Sequence, residues 1–139
     1  MELLNKENTI NEANSIISDY YTIKLNTYNI IEVSWNNKIE EVDVVHLEHL
    51  RNSIKILGKG KRMLLYVDTY SFMSITPEAS KYTTTEDAFK YCLANAVLID
   101  SLPKKIIFNF YLKIYPPSVE TKGFNTKEEA LIWLKNINS

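Results

Sequence analysis

Two apolar runs without regular polar alternation stand out in the pattern of hydrophobic and polar positions along this chain. Residues 63–67 read MLLYV and residues 95–99 read NAVLI. Such runs are typical of strands that are covered on both faces, as in a parallel sheet. Because helical segments lie between and around them, we expect the two runs to form adjacent parallel strands at the centre of a sheet.

Further strands are predicted towards both ends of the chain. Residues 20–25 and 30–35 are rich in β-branched and aromatic side chains, and the short polar segment 26–29 separates them. This arrangement predicts a β-hairpin. Residues 119–124 have a weaker pattern and predict a last strand at the edge of the sheet.

Four segments predict helices. In residues 40–57 the leucines and isoleucines recur at intervals of three and four and form one apolar face, and Gly58 is well placed to end the helix. The other predicted helices cover residues 77–93, with a break near residues 83–85, residues 102–115 and residues 126–137.

A hairpin followed by alternating helices and strands predicts a mixed α/β fold. We expect a mostly parallel sheet of about five strands, flanked by about four helices. Residues 20–139 are predicted to form this single domain. Residues 1–19 are polar and rich in Asn and Glu, and we expect them to form a loose arm or a short helix over residues 7–16.

Composition and charge narrow the classes of function. With 139 residues, 45% of them hydrophobic, the chain is most simply one globular domain. Its net charge of −1 provides no overall basic field for nucleic acid. One cysteine excludes an intrachain disulfide framework, and the N-terminus lacks the pattern of a signal peptide. No apolar run is long enough for a membrane span, so we expect a cytoplasmic protein without an integral membrane segment.

The segment that joins the first central strand to the next helix carries the first group of candidate site residues. Asp68 ends the strand, a hydroxyl-rich loop follows, and Thr76 is a suitable N-cap for a helix that begins at Pro77. Ligands and partners of open α/β sheets bind at the carboxyl ends of the strands. The candidates for a partner-binding or regulatory loop are therefore Asp68, Ser71, Ser74 and Thr76, although an ordinary strand-to-helix connection would have the same composition.

The predicted helix over residues 102–115 has apolar or aromatic side chains around most of its circumference. One side must face the sheet, and we expect this to be the row of Ile106, Phe110 and Ile114, which are four residues apart. The remaining side needs another cover, for which a second copy of the chain, the N-terminal arm and an apolar ligand are the alternatives. The interface or ligand candidates on that side are Phe108, Tyr111, Leu112 and Tyr115.

Two segments resemble a known family. The sequence LLYVDTYSFMSITPEA resembles the strand, loop and helix start of STAS domains, the anti-sigma-factor-antagonist family. The segments NAVLIDSLPKKIIFNFYLKIYPP and FNTKEEALIWLK look like small bacterial STAS-like proteins, which are also compared with the CRAL-TRIO lipid-binding fold. The resemblance implies a STAS-like fold and a regulatory phosphorylation near Thr76. The chain has Ser74, Ile75, Thr76 and Pro77 where the family has Asp-Ser-Ser-Gly.

The sequence offers little for metal binding or catalysis. Asp43, His46 and His49 lie three residues apart on a predicted helix, as some metal ligands do, but no further Cys or His completes a set of four. Cys92 lies in the apolar context FKYCLANAV and is expected to be inert packing rather than a nucleophile. We therefore expect no cofactor, no metal and no enzymatic activity.

Two functional hypotheses of different classes remain. The first is a non-enzymatic, STAS-like regulatory or protein-interaction module, most simply a homodimer that also contacts a protein partner through the loop at residues 68–76. The second is a carrier or sensor of a small apolar, lipid-like ligand, with the aromatic helix as one wall of its site. An apolar cavity would favour the second hypothesis.

Overall fold

The computed structural model describes residues 8–12, 14–69 and 73–137. Within these residues the main sheet has seven strands. In their order across the sheet they are β1 (Asn8–Glu12), β2 (Ser15–Ser18), β3 (Tyr21–Leu25), β4 (Ile30–Trp35), β6 (Met63–Asp68), β8 (Cys92–Leu98) and β9 (Glu120–Phe124). The first three neighbouring pairs are antiparallel and the last three are parallel. A separate pair is formed by β5 (Glu41–Val42) and β7 (Ser74–Ile75).

Four helices accompany the sheet in the described part of the chain. They confirm the predicted mixed α/β class, with helices alternating with the parallel strands. The two central strands are adjacent and parallel, as predicted, and Leu65 on β6 pairs with Asn95 on β8. The helices are α1 (Val44–Leu57), α2 (Pro77–Tyr82), α3 (Leu102–Ile114) and α4 (Lys127–Ile137).

The predicted N-terminal arm or short helix is wrong where the structure describes it. Residues 8–12 and 15–18 form β1 and β2, which extend the sheet beyond the five expected strands. Ile16 is buried at 1% exposure and pairs with Ile23 on β3. Pairing with β3 satisfies the backbone of β2, and burial of Ile16 stabilises it. A short polar segment does not reveal this in its own sequence.

The predicted helix over residues 77–93 is also shorter than expected. The helix α2 ends at Tyr82, and β8 begins at Cys92. The break at residues 83–85 is confirmed. The hydroxyls of Thr83, Thr84 and Thr85 donate to backbone carbonyls three residues earlier, at 2.6 to 2.7 Å. The Lys81 and Tyr82 carbonyls also accept the backbone N–H groups of Thr84 and Thr85, each at 3.0 Å. The hydroxyl bonds add to these turn bonds at the end of α2.

Each face of the sheet buries its own apolar cluster. On one face, Leu50, Ile54 and Leu57 of α1 pack with side chains of β3, β4 and β6. On the other, Ala130 and Leu134 of α4 pack with the small side chains of β8 and with β6. The sheet is therefore covered on both faces at its parallel end, as its unbroken apolar runs predict.

Candidate functional site

An apolar cavity of about 190 Å³ lies at the carboxyl ends of the parallel strands. Strand β4 contributes Trp35, β6 contributes Val67, and β8 contributes Val97 and Leu98. Helix α3 and the β5–β7 pair form further walls. The remaining lining residues are Val42, Leu47, Thr69, Met73, Ser74, Ile75, Asn95, Ile99, Lys104, Ile107, Phe108, Tyr111, Pro117 and Thr121.

The register of the strands determines which side chains form the floor of the cavity, on the face of the sheet. Val67 on β6 pairs with Val97 on β8, so their side chains lie side by side on one face. Asn95 is two residues before Val97 and therefore lies on this same face. It pairs with Leu65 on one side and with Thr121 on β9 on the other. A single amide group thus stands on a floor that is otherwise mostly apolar.

Asn95 is the polar feature that distinguishes this cavity. The residue is 9% exposed, and its side-chain oxygen Oδ1 is the one buried side-chain polar atom without a hydrogen-bond partner among the described residues. Leaving a buried acceptor unpaired costs on the order of 1–3 kcal/mol. Such groups are rare in native proteins and call for a specific explanation.

A charged cluster borders the cavity at the start of α3. The Lys104 ammonium lies 3.0 Å from an Asp100 carboxylate oxygen and 3.5 Å from an Asp68 carboxylate oxygen. The hydrogen bond from Lys104 lowers the pKa of Asp100 below its usual value. Ser101 positions this lysine, because its hydroxyl accepts the Lys104 backbone N–H at 3.4 Å and caps α3.

The orientation of α3 is opposite to the prediction. The expected core row faces solvent, with Ile106 60%, Phe110 64% and Ile114 50% exposed. The opposite side, with Phe108 and Tyr111, faces the cavity. Leu112 and Tyr115 are half-buried as well, but neither lines the cavity.

Specific contacts fix this rotation of α3. The ring of Phe108 packs against Gly123 of β9, where an added Cβ atom would lie 2.8 Å from the ring. The Tyr111 hydroxyl donates to the Thr83 hydroxyl oxygen, and burial raises the pKa of this tyrosine. Together with the ion pairs of Lys104, these contacts select one of two apolar faces that are equivalent in the hydrophobic pattern alone.

The candidates in the loop after β6 have separate surroundings. Asp68 pairs with Lys104, and Ser74 is exposed on β7, lines the cavity and donates to the Glu40 carbonyl at 3.3 Å. Thr76 is 9% exposed. Its hydroxyl accepts the Ala79 N–H at 3.0 Å and donates to Asp43 at 3.0 Å.

The loop thus brings Ser74 to the cavity wall, places Asp68 beside Lys104 at its border, and buries Thr76 as a helix cap. A regulatory phosphorylation at Thr76 would require this capped hydroxyl to become accessible. Ser71 and its neighbour Phe72 lie outside the described residues.

The histidines of α1 serve different structural contacts. His46 Nδ1 accepts the Asp43 backbone N–H at 2.9 Å within the capping box of α1. Burial lowers the pKa of His46. His49 Nδ1 lies 2.6 Å from the hydroxyl of the buried Tyr21. Over residues 8–12, 14–69 and 73–137, no group of three His, Cys, Asp or Glu side chains is arranged to hold a metal ion.

Sequence reasoning identified Phe108 and Tyr111 but missed Asn95 as a site residue. The available signal was an amide at the start of an otherwise apolar strand, in the run NAVLI. Its significance depends on the absence of a partner, which is a property of the folded chain. The chain also contains no helix, in the described ranges, that is long and apolar enough to cross a membrane.

Comparison with known proteins places the chain in a family. The family described as Domain of unknown function (DUF7793) matches residues 21–138, and the chain belongs to this family. The match begins at the first residue of β3 and leaves β1 and β2 outside. No curated protein and no solved structure matches the chain significantly. The resemblance to STAS domains stays a prediction.

Proposed function

We propose that the protein binds a small, mostly apolar molecule in the cavity beneath α3 and acts as a carrier or sensor, not as an enzyme. The observation that carries this proposal is the cavity itself, which has mostly apolar walls and lies at the carboxyl ends of β4, β6 and β8. This is the place where open sheets with parallel strands bind ligands. Apolar walls with a few polar groups are also typical of small-molecule sites.

The volume of the cavity limits the size of the ligand. A cavity of about 150 Å³ lined by aliphatic and aromatic side chains is sufficient to bind benzene. At about 190 Å³, this one suits a six-membered ring with a small substituent. It is smaller than the roughly 300–1,000 Å³ that is usual for drug-sized ligands. The volume thus favours a compact molecule over a complete lipid chain.

The chemistry of the lining favours binding over catalysis. Among the described lining residues there is no His, Cys, Asp or Glu to act as a general acid or base. The hydroxyl of Ser74, which lines the cavity, donates to the Glu40 backbone carbonyl and not to a base that would activate it as a nucleophile. Lys104 is the charged lining residue, and it is paired with Asp100 and Asp68.

Calorimetric titration with toluene tests the proposal. The parent protein is expected to bind one equivalent. An Ile107→Trp variant should lose binding, because the larger side chain projects from a lining position. The matched control is Ile106→Trp on the solvent side of the same helix, which should bind as the parent does. Absence of saturable binding to the parent, or equal binding by both variants, would contradict the proposal.

A second candidate function is protein interaction through the solvent side of α3, with a second copy of the chain as the partner. The observation that favours it is an exposed apolar row formed by Leu102 (69% exposed), Ile106, Phe110 and Ile114. Burying each large side chain of such a row yields about 1.5–3 kcal/mol. Aromatic side chains such as Phe110 are also enriched at interfaces.

Sedimentation at micromolar concentration tests this second candidate. The parent is expected to be a dimer, and the double variant Ile106→Ser, Phe110→Ser a folded monomer. Val45→Ser is the control, because Val45 is 63% exposed on a different helix. A monomeric parent would rule out self-association through this row at that concentration.

A further inference from the structure

Five basic side chains gather at the end of the sheet opposite the cavity. They lie on the last turn of α1, on the turn that leads into β6, and just before β8. Because β6 and β8 are parallel, both strands begin at this end of the sheet. These five exposed residues, the basic patch, are Lys55, Lys59, Lys61, Arg62 and Lys90.

Specific contacts hold the segments of the basic patch together. The ammonium groups of Lys55 and Lys90 each lie 5.7 Å from the centre of the Tyr91 ring. The Arg62 guanidinium donates to the Cys92 carbonyl at 2.9 and 3.3 Å, which places it beside the start of β8. The basic patch is therefore one surface, built from segments that are distant in the sequence.

The turn between α1 and β6 has a backbone conformation that hydrogen bonds fix. Lys59 and Gly60 have positive φ angles, of 55° and 81°, and the Gly60 N–H donates to the Lys55 carbonyl at 2.9 Å. The Lys61 N–H donates to the Gly58 carbonyl at 3.1 Å. These bonds close the end of α1 and keep the side chains of Lys59 and Lys61 exposed.

The charge of the basic patch is not neutralised by neighbouring acidic residues. Residues 49–67 and 88–99 contain no Asp or Glu. In the described ranges, none of the ion pairs involves a residue of the patch, and Asp87 is paired with Arg51 instead. Since the whole chain has a net charge of −1, this local excess of positive charge makes the surface strongly polarised.

The dipole of α1 explains only part of this cluster. Cations are favourable near the carboxyl end of a helix, within its last turn, and Lys55 lies there. Arg62 and Lys90 belong to other segments and lie beyond the reach of that effect. The basic patch as a whole is therefore suited to an anionic partner.

We propose that the basic patch binds the surface of an anionic lipid bilayer, with Ile56 inserted at the level of the headgroups. Ile56 is 44% exposed and lines a shallow depression together with Lys55 and Lys59. Cations beside an exposed aliphatic side chain match a surface that presents phosphate groups above hydrocarbon. A cluster of about four to eight Lys and Arg side chains is typical of sites for anionic lipid. This inference is independent of the cavity and goes beyond the proposed function.

The surroundings of the cations favour a bilayer over a nucleic acid. Sequence-tolerant binding of single strands uses aromatic rings on which bases stack, whereas the Tyr91 ring is half-buried and lies between the ammonium groups of Lys55 and Lys90. The side chain of Ile56 has no counterpart in a phosphate backbone. A bilayer can bury such a side chain at the boundary between headgroups and acyl chains.

Cosedimentation with lipid vesicles at low salt tests this inference. The parent protein is expected to bind vesicles of equimolar phosphatidylglycerol and phosphatidylcholine, and not to bind vesicles of phosphatidylcholine alone. Binding should weaken as the salt concentration rises, because salt screens the charges. The double variant Lys59→Glu, Lys61→Glu should bind roughly tenfold more weakly or less tightly still, since one Lys near an anionic surface contributes about fivefold.

A matched control separates the patch from a general effect of net charge. The double variant Lys38→Glu, Lys113→Glu changes the net charge equally, at two exposed residues outside the patch, and should bind as the parent does. Absence of parent binding to the anionic vesicles, or equal losses in the two double variants, would overturn the inference.

The variant Ile56→Ser distinguishes a bilayer from other anionic partners. It keeps every charge of the patch and should bind the anionic vesicles roughly tenfold more weakly than the parent at the same salt concentration. Unchanged vesicle binding by this variant would overturn the insertion of Ile56. Tighter binding of the parent to a DNA duplex than to the vesicles, at equal salt, would assign the patch to nucleic acid and overturn the inference as well.

Discussion

Cys92 illustrates how the position of a single side chain determines its chemistry. Its thiol is buried at the start of β8 and donates to the Ala94 carbonyl at 3.3 Å. Burial raises the pKa of the Cys92 thiol to about 12, although the charge of Arg62 acts in the opposite direction. Since the thiolate is the reactive form, a neutral and buried thiol is poorly nucleophilic.

We therefore predict that Cys92 in the native protein does not react with a disulfide reagent such as DTNB at pH 8. One thiol per chain should become reactive when the protein is unfolded in guanidinium chloride. The absorbance of the thiolate released from the reagent measures the number of reactive thiols in the native and in the unfolded protein. Rapid stoichiometric labelling of the native protein would contradict the burial of this side chain.

At the scale of the secondary-structure elements, the sequence correctly predicted the strands that have a clear hydrophobic pattern of their own. The hairpin of β3 and β4 and the adjacent β6 and β8 were correct, because unbroken or alternating apolar residues commit these segments to a sheet. The N-terminal strands were missed, since β1 and β2 are short and depend on pairing with β3. The rotation of α3 was wrong, since an apolar pattern around most of a helix does not select one face.

The candidate site was predictable only in part for related reasons. The aromatic excess of α3 pointed to Phe108 and Tyr111, and both line the cavity. Asn95 gains its significance from three neighbouring strands and a helix, which bury its amide without pairing Oδ1. The sequence around Asn95 does not predict that Oδ1 is unpaired. That depends on which acceptors the hydroxyl and ammonium groups of residues distant in the sequence donate to.

The strand assignment of β2 predicts a contrast between two adjacent isoleucines. Ile16 is 1% exposed and Ile17 is 38% exposed. Ile16→Ala should lower the free energy of unfolding by roughly 2–5 kcal/mol, as buried large-to-small changes do, and Ile17→Ala by less than about 1 kcal/mol. Urea denaturation measures both. Equal, small effects would indicate that residues 15–18 do not pack on the domain.

The rotation of α3 predicts a second contrast, between two phenylalanines on one helix. Phe108 packs against Gly123, whereas Phe110 is 64% exposed. Phe108→Ala should lower the free energy of unfolding by roughly 1–3 kcal/mol, and Phe110→Ala by at most about 0.5 kcal/mol. Chemical denaturation at submicromolar concentration, which limits any self-association, is the suitable measurement. The reverse order of effects would restore the predicted row of Ile106, Phe110 and Ile114 as the core face.

At the scale of the whole molecule, the fold combines a well-packed sheet with a cavity at one end of it. The two apolar clusters, one on each face of the sheet, stabilise the domain. The cavity lies at the border of the first cluster, beneath α3, which has no fully buried residue of its own. A ligand in the cavity would join α3 to the sheet and to the β5–β7 pair.

Ligand binding should therefore stabilise the entire domain by mass action. At a toluene concentration 100 times its dissociation constant, the free energy of unfolding is expected to rise by about 2.7 kcal/mol, if toluene binds only the folded state. The midpoint of urea denaturation measures this increase. Ile107→Trp, which places a larger side chain at a lining position, should show little or no increase under the same conditions.

The most direct test of the central claim is a two-dimensional NMR titration of the parent protein with toluene. We predict saturable shifts in the resonances of Val67, Asn95, Val97 and Phe108, which line the cavity on different elements. Resonances of Ile106 and Phe110, on the solvent side of α3, should change least along that helix. Shifts that do not saturate, or that concentrate on Ile106 and Phe110, would contradict a ligand site in the cavity.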